Sequence, residues 1–497
     1  MGHAPDDPVV TLPVGSLPTF DLTAMAGEVG QALAAGGRLL TLYGRPGTPK
    51  QGGGVTVTAV LLPVEGPLRV LRAQAQAGQA YPAITAQHPA AQMAERELWE
   101  QTGLQPEGHP WLKPVRFEGA RQQHLDDYPF FKVRGQEVHE VGVGPIHASV
   151  IEPGHFRFMC HGEQVHHLEI QLGYQHRGLE ALMLQRPVAA LTPLVETIAG
   201  DTSIAHAWAH CAAIEGLSGT PVSPEAERVR GIALELERVA MHLVAITGLA
   251  TDIAFLQGGT TCGRLRTAII NATMRVCGSR FGRGWLRPGG VRFGITEALR
   301  TDLQTTLAAF ARDMAEVADL MLSARSVRSR FQGVGRVGRD DALGLGLVGL
   351  VARASGVALD LRSRLPGAFH STHPVALLTA DSGDCWARFE LRLREIDEST
   401  RWLQQMLQSG PDLAAPAITP VAPLAPSSLS VSLREGFRGP VLHALETGAD
   451  GRLLHAKLQD PSMLNWFGLA LSLRGNEISD FPICNKSFDL SYCGNDL

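Results

Sequence analysis

The stretch GPIHASVIEPGHFRFMCHGEQVHHLEIQLGYQHRGLE, Gly144 to Glu180, decides the fold. In its second half Leu168, Ile170 and Leu172 share one face by period two, and His167, Glu169 and Gln171 share the other. That alternation is the signature of a strand. Gly162-Glu163 breaks the pattern as a turn does, so the segment from His155 onward reads as a β-hairpin. Beyond it the period changes, and residues 180 to about 410 read as helices.

Two of those helices are written most clearly. Val229, Ile232, Leu236, Val239, Leu243 and Val244 recur at three and four residues and make one apolar stripe. Trp386, Phe389, Leu393, Ile396, Thr400 and Leu403 make a second, with Arg388, Arg392 and Glu395 off the seam. Such stripes predict long bundle helices. The charged residues Glu235, Glu237, Arg238 and His242 on the first helix read chiefly as a solvated face. Any that are buried would mark a proton or coupling path, because a buried charge is costly unless paired.

Upstream, residues 1–20 are Pro-rich and read as an arm. VTVTAVLLPV and PLRVLRAQAQ are strands by β-branched content, and GRPGTPKQGGG is a loop. HPAAQMAERELWEQTGL is a helix closed by Gly103, a residue suited to a C-terminal cap. Downstream, residues 410–428 form a Pro/Ala linker, extended and semi-rigid. GPVLHALETGADGRLLHAKLQD then reads as a second hairpin. The fold class expected is α+β. An N-terminal α/β domain (residues 21–135) is fused to a large helical-bundle domain (residues 136–497) with β-hairpins at its N- and C-terminal parts.

Bulk properties narrow the function. The chain has 497 residues, too many for one typical core. Its net charge of −5 argues against a chain-wide nucleic-acid footprint. Its longest apolar run, ALGLGLVGLVA from Ala342, is too short to span a bilayer, which needs about 20 residues. The seven cysteines, Cys160, Cys211, Cys262, Cys277, Cys385, Cys484 and Cys493, show no C-x-x-C spacing. No secretory signal opens the chain, so reduced thiols in the cytoplasm are expected.

Two motifs have a bland alternative. GVGRVG, Gly333 to Gly338, fits G-x-G-x-x-G, but ARSVRSRFQ before it is no hydrophobic strand, so a glycine-rich loop between helices is expected. His155, His161, His166, His167 and His176 crowd one segment, but a hairpin scatters them over both faces, which predicts hydrogen-bonded polar residues and not a metal site.

Several separated segments carry a family resemblance. Tyr81 to Phe117, with its Glu95-Arg96-Glu97 run and Gly108-His109-Pro110, resembles the hydrophilic complex I subunit that precedes the quinone-site subunit, although EQTG stands where that family has an aspartate, an aromatic residue and a glycine. Gly144 to Glu180, ELERVAMHL, ARASGVALDLR, GDCWARFELRLREIDEST, EGFRGP and LQDPSMLNW resemble the large subunit of energy-converting, formate hydrogenlyase-type [NiFe] hydrogenases. That family is related to the complex I quinone-site subunit, and the two halves are fused here as in the hydrogenlyase large subunit.

The resemblance implies four thiolate ligands for nickel and iron, in two C-x-x-C pairs, thiolates being soft donors. In VETIAGDTSIAHAW the two expected positions hold Ala199 and Thr202, with His206 kept. In DLSYCGND they hold Ser491 and Gly494, with Asp489 kept and Cys493 one residue off. No metal ligand is therefore expected from this chain, and a nickel-iron centre is not. The sequence stops at Leu497, without the tail that nickel-enzyme precursors of the family lose, which suits the same expectation.

By the same resemblance Glu180 stands for a proton-relay glutamate and Arg438 for the arginine beside the iron's diatomic ligands. Phe437 replaces a proline and is expected to fill space. In complex I a tyrosine and a histidine hold a quinone. The tyrosine's place falls on Gly200, and the histidine's on His147 or His155. The candidate catalytic set is thus Glu180, His206, Arg438 and Asp489, with His147 and His155 as candidate cofactor-binding residues and quinone as the candidate cofactor.

The implied setting is the cytoplasmic side of a cell membrane, in a complex I-like assembly. Its expected partners are a small [4Fe–4S] subunit and membrane subunits of antiporter and quinone-module type. Two alternatives stay open: a structural subunit with no redox site, in which Glu180 and Arg438 pair in the core, and an active hydrogenase with atypical ligands.

Overall fold

The computed structural model describes residues 6–47, 53–118, 127–135, 137–148, 151–408, 410–416 and 418–497. Part of the expected arm (residues 1–5), the middle of the GRPGTPKQGGG loop (residues 48–52) and the expected domain junction at residue 136 lie outside them.

The fold is α+β. Near the N-terminus, β1 (Val9–Pro13) is followed by β2 (Thr19–Asp21), α1 (Leu22–Ala34), β3 (Arg38–Pro46), β4 (Val55–Leu62), β5 (Arg69–Ala75), β6 (Ala80–Pro82), α2 (Gln92–Thr102) and β7 (Gln105–Glu107). A four-stranded sheet runs in the order β2-β5-β4-β3. The β-branched content of VTVTAVLLPV and PLRVLRAQAQ put the strands β4 and β5 where they are found. The first helix starts at Asp21, whose carboxylate accepts from Ala24 N at 2.8 Å. The second ends at Gly103, held at φ 78°, a left-handed conformation that glycine adopts without strain.

The hairpin read at Gly162-Glu163 is β9 (His155–His161) and β10 (Gln164–Gln171), with β8 (Val138–Val143) on its far edge. After it come α3 (Leu179–Leu184), α4 (Leu191–Val195), α5 (Ser203–Ser218), α6 (Pro224–Asp252), α7 (Leu256–Cys277), the short ribbon β11 (Leu286–Arg287) and β12 (Gly290–Val291), and α8 (Glu297–Ser323). Five short helices follow: α9 (Arg325–Phe331), α10 (Arg339–Gly344), α11 (Gly349–Ala354), α12 (Leu361–Arg364) and α13 (Gly367–Thr372). The long α14 (Cys385–Gln408) closes the bundle. The chain ends with β13 (Ser428–Glu435), β14 (Pro440–Thr447), β15 (Leu453–Gln459), α15 (Ser462–Ser472), α16 (Phe481–Phe488) and α17 (Tyr492–Asp496). No helix among the described residues is long and apolar enough to cross a membrane.

Three expectations change on folding. The residues read as an arm carry β1, which pairs antiparallel with β13 and so closes one edge of the sheet β1-β13-β14-β15. The stretch read as a linker is strapped to the bundle: Leu413 is buried and its carbonyl accepts from Ile295 N at 2.6 Å, and Thr419 N donates to Gly289 O at 2.9 Å. The solvated face expected on α6 is also absent, because Glu235, Glu237, Arg238 and His242 are all buried. Helix α6 runs through the middle of the bundle against α5, α7, α14 and α16, so its polar side meets protein.

The buried charges are paired, as burial demands. Arg362 bonds Glu235 at 3.0 Å and Asp360 at 2.7 Å, and Arg353 bonds Glu395 at 2.7 Å and Glu435 at 2.9 Å. Arg392 Nη1 lies 3.0 Å from His242 Nδ1, and His242 Nε2 lies 2.8 Å from Glu395. A guanidinium only donates, so His242 Nδ1 accepts and Nε2–H donates to the carboxylate. Burial and Arg392 keep this imidazole neutral, its pKa falling to about 4 despite Glu395.

Candidate functional site

Four segments that are distant in sequence meet where the family resemblance placed a metal. The turn between β13 and β14 brings Arg438, the approach to α5 brings Asp201 and Thr202, the end of α16 brings Asp489, and the residue after β15 is Asp460.

Arg438 is the hub. Its Nη1 and Nη2 grip the two oxygens of Asp201 at 2.8 and 2.7 Å, a bidentate fork. Nη1 also donates to Thr202 Oγ1 at 3.1 Å, and Nε donates to the carbonyl of Asp489. The Asp489 carboxylate lies 3.8 Å from Arg438 and 3.8 Å from Arg392. Partial burial favours the neutral acid at both aspartates, with opposite outcomes. At Asp201 the fork of Arg438 wins and the pKa falls. At Asp489 the longer contacts do not win, and the pKa rises.

His206 begins a second array. Its Nε2 lies 3.1 Å from Asp460 Oδ2, and its Nδ1 lies 3.1 Å from Nε2 of His443 on β14. Burial opposes ionisation of Asp460, but the bonds from His206 and Ser462 N and the charge of Arg438 hold its pKa down. His443 is driven well below the ordinary imidazole range by burial and by its histidine neighbours. His210, one turn along α5 from His206, has its ring 6.0 Å from that of His443 and is lowered to about 4 by burial.

The four positions that resemblance assigned to thiolates are all built into protein. Ala199 and Thr202 are fully buried. Thr202 Oγ1 donates to Asp201 at 3.0 Å, and Ser491 Oγ caps α17 by accepting from Gly494 N at 2.9 Å. Gly494 is pressed against the Asp460 carboxylate. Phe437 is buried, with its ring edge-on to His242 at 5.9 Å and under the guanidinium of Arg438 at 4.4 Å.

Glu180 belongs to a neighbouring cluster and is not paired with Arg438. Its Oε1 accepts from Leu458 N at 2.8 Å and lies 3.2 Å from Lys457 Nζ. Lys457 bonds Glu97 at 2.5 Å, and Glu97 pairs with Arg116, whose Nε donates to Asn495 O at 2.8 Å. Burial raises Glu180, while Arg116 and Lys457 overcome the same effect at Glu97 and lower it. The two carboxylates of this cluster are therefore pushed in opposite directions.

His147 lies between β8 and β9 and His155 is the first residue of β9, and each ring bonds nearby backbone: His147 Nε2 to Gly154 O at 2.8 Å and His155 Nδ1 to Gly144 O at 3.2 Å. The loop rests on the C-terminal tail. Glu152 accepts from Cys493 N at 3.4 Å, and Gly154 packs on the Tyr492 ring, where a Cβ would come within 2.8 Å. Among the described residues no group of three or more His, Cys, Asp or Glu could hold a metal ion.

This arrangement has relatives. Residues 252–496 match the family described as respiratory-chain NADH dehydrogenase, 49 Kd subunit, and residues 31–130 match the 30 Kd subunit family. The carbon monoxide-induced hydrogenase of Rhodospirillum rubrum is 31% identical over 356 residues, 70% of this chain and 96% of that protein. The chain belongs to the group 4 hydrogenase and complex I family. Hydrogenase-4 component G of Escherichia coli is 28% identical over 84% of this chain and 76% of its own length. Formate hydrogenlyase subunit 5 of the same organism is 28% identical over 84% and 77%. The 30 Kd and 49 Kd parts are fused in this member.

The structure adds neighbours that the sequence motifs left out. Arg438, Asp489, Thr202 and His206 were found from motifs. Asp201, beside Thr202 in GDTS, and Asp460, in LQDPSMLNW, were not, although both lie inside quoted segments. His443, His210 and Arg392 had no local signal, because what they share is position in space.

Proposed function

We propose that this chain is a nickel-free subunit of a complex I-like oxidoreductase complex, and that the ancestral metal position now serves as a proton-handling centre coupled to electron transfer on a partner. The observation that carries the proposal is the contact between Gly494 and Asp460, where a Cβ would stand 2.7 Å from the carboxylate carbon. A nickel-iron centre needs soft thiolate donors. This chain offers a methyl, a threonine hydroxyl engaged with Asp201 and Arg438, a serine hydroxyl engaged as a helix cap, and a glycine closed off by a carboxylate. The donor set does not fit the metal centre.

The residues present support proton chemistry instead. Burial raises the pKa of Asp489 while Arg438 lowers that of Asp201, across one guanidinium. Separated pKa values of this kind assign an acid and a base. From Asp460 a chain of hydrogen-bonded imidazoles, His206 and His443, leads toward His210. Each imidazole can accept a proton on one nitrogen while releasing one from the other. Glu180, with its raised pKa, is a further proton holder. His147, before β9, and His155, its first residue, are the candidate contacts for a quinone headgroup.

The partners proposed are a small [4Fe–4S] subunit that delivers electrons and membrane subunits that move ions, with this chain on the cytoplasmic face. A structural role is the second reading, favoured by one observation: Arg438 spends its donors on Asp201, Thr202 and the Asp489 backbone, all within the chain.

Nickel per polypeptide, measured by elemental mass spectrometry on the native complex purified anaerobically, tests the first reading. No nickel above background, with the partner's iron-sulfur clusters intact, supports it. Stoichiometric nickel overturns it. Glu180→Gln separates the two roles: an assembled complex that no longer turns over supports proton handling, and unchanged turnover supports the structural role.

A further inference from the structure

The glycine-rich GVGRVG segment is a lid on a pair of thiols. Cys385, the first residue of α14, and Cys484, in α16, are both fully buried with their sulfurs 3.9 Å apart. The pair is built into its surroundings. Arg388 Nη2 lies 3.5 Å from Cys385 Sγ, and Ser487 Oγ lies 3.5 Å from the same sulfur. Arg388 is itself fixed by Ser487 Oγ, Gly383 O and Gly335 O, each at 2.8 Å. Gly335 has φ +63°, and a Cβ there would come within 2.5 Å of Cys484 Sγ and 3.3 Å of Cys385 Sγ. Any side chain at this position would push into the sulfurs. Gly335 thus packs directly on the pair and is itself buried, two residues from exposed Gly333 and next to exposed Arg336.

Electrostatics single out one sulfur. Burial disfavours the Cys385 thiolate, but the hydrogen bond with Cys484 and the Arg388 charge outweigh it and bring the pKa down to about 6. Cys484 moves the other way, driven up chiefly by its hydrogen bond to Cys385. A thiolate beside a thiol, under a guanidinium, is the arrangement of a nucleophile with its resolving partner.

We propose that Cys385 and Cys484 form a redox modification site, a dithiol that hydrogen peroxide converts to an intramolecular disulfide joining α14 to α16. The Cys385 thiolate attacks one oxygen of the peroxide. The O–O bond breaks, and the leaving oxygen takes up the proton that the thiol had given up, so a sulfenic acid and water form. The Cys484 sulfur then attacks the sulfenic sulfur. The S–S bond forms, the S–O bond breaks, and the departing hydroxide takes the Cys484 proton as a second water. Two thiols lose two electrons and the peroxide gains them. The site is independent of the nickel question. Its placement gives it reach, since Asp489 follows α16 directly and Arg392 of α14 donates to Ser487 O at 3.0 Å.

The test uses the full chain, reduced, freed of reductant and treated with hydrogen peroxide while folded. Remaining thiols are then alkylated in denaturant, and the digest is mapped by mass spectrometry without reduction. The expected result is a linked pair of peptides carrying Cys385 and Cys484, reversed by a dithiol reductant and absent from an untreated sample carried through the same steps. Cys484→Ser should leave a sulfenic acid on Cys385 that a dimedone probe traps. Arg388→Gln should slow the linkage roughly tenfold at neutral pH, as the thiolate fraction falls toward that of an ordinary cysteine. The proposal is overturned if Cys385 and Cys484 are both recovered alkylated from wild-type protein in which the more accessible Cys493 has reacted. The wild-type result decides the matter even if neither variant folds.

Discussion

Gly494 and Asp460 leave no room between them: a Cβ at position 494 would stand 2.7 Å from Cγ of Asp460 and 2.9 Å from each of its carboxylate oxygens. Asp460 cannot easily retreat, because it is held by His206 at 3.1 Å and by Ser462 N at 2.8 Å. Restoring a cysteine there should therefore disrupt a packed polar site. Gly494→Cys is expected to cost about 1–3 kcal/mol, the range for overpacking a closed interior. Denaturant unfolding measures it, and adding Asp460→Ser should recover much of the loss. A single variant as stable as the parent would show that the position is open, and would remove the observation on which the nickel-free reading rests.

The fork between Arg438 and Asp201 gives a second prediction. The Asp201 side chain is 36% exposed while that of Arg438 is 5% exposed. Water screens the aspartate, so the cost of breaking the pair falls below the 3–5 kcal/mol of a fully buried one and is expected at about 2 kcal/mol for Arg438→Ala. Asp201→Asn should cost less, because an amide still accepts one of the two bonds. A double-mutant cycle that finds no coupling between these residues would contradict the fork.

How much of this was legible depended on the range of the interaction. The hairpin at Gly162-Glu163, the strands β4 and β5, and the cap at Gly103 are written in neighbouring residues, and the sequence placed them. So are the stripes of α6 and α14. The burial of Arg388, Arg392 and Glu395 is not local. Charged residues off an apolar seam look solvated until the partner helices that neutralise them are in place. The edge strand β1 is the extreme case: Thr11 Oγ1 donates to Ser430 Oγ at 2.9 Å across 419 residues. Nothing in a Pro-rich N-terminus signals that pairing. The same holds at the site, where Arg438 was found through its motif and Asp201, its partner, was not.

Glu237 supplies a pH test. It is buried, accepts from Ile204 N at 2.7 Å and Ala205 N at 3.2 Å at the start of α5, and its pKa is raised by burial to about 8. A carboxyl raised on folding binds its proton more tightly in the folded state. Its contribution to stability is complete below the ordinary value of 4.5 and is lost as pH rises through about 8. Wild-type stability should thus fall relative to Glu237→Gln across that window, by up to about 1.4 kcal/mol per pH unit. Denaturation midpoints of the two proteins at several pH values check it. Other titrating groups, including Glu435, which burial raises to about 7, are common to both and cancel in the difference. Parallel pH profiles would refute the shift.

The last prediction separates charge from assembly in the Glu180 cluster. Glu180 and Glu97 share Lys457, whose side chain is 1% exposed, and Glu97 also has Arg116. Glu180→Gln keeps an oxygen to accept from Leu458 N and leaves Lys457 paired with Glu97. Its effect on stability should stay within about 1 kcal/mol, since one neutral hydrogen bond replaces a shared ion pair. Lys457→Met is different. It strips the buried cation from between two carboxylates, and about 3 kcal/mol should be lost, the cost of leaving a buried charge without its partner. The pKa of Glu180 should then rise further, since Lys457 is the chief influence lowering it. Adding Glu180→Gln to Lys457→Met should restore part of the stability, because the like charge on Glu97 no longer faces an unpaired neighbour. Unfolding curves on the four proteins measure the coupling. If Glu180→Gln alone proves as damaging as Lys457→Met, Glu180 is charged and essential to packing, and its role as a proton holder fails.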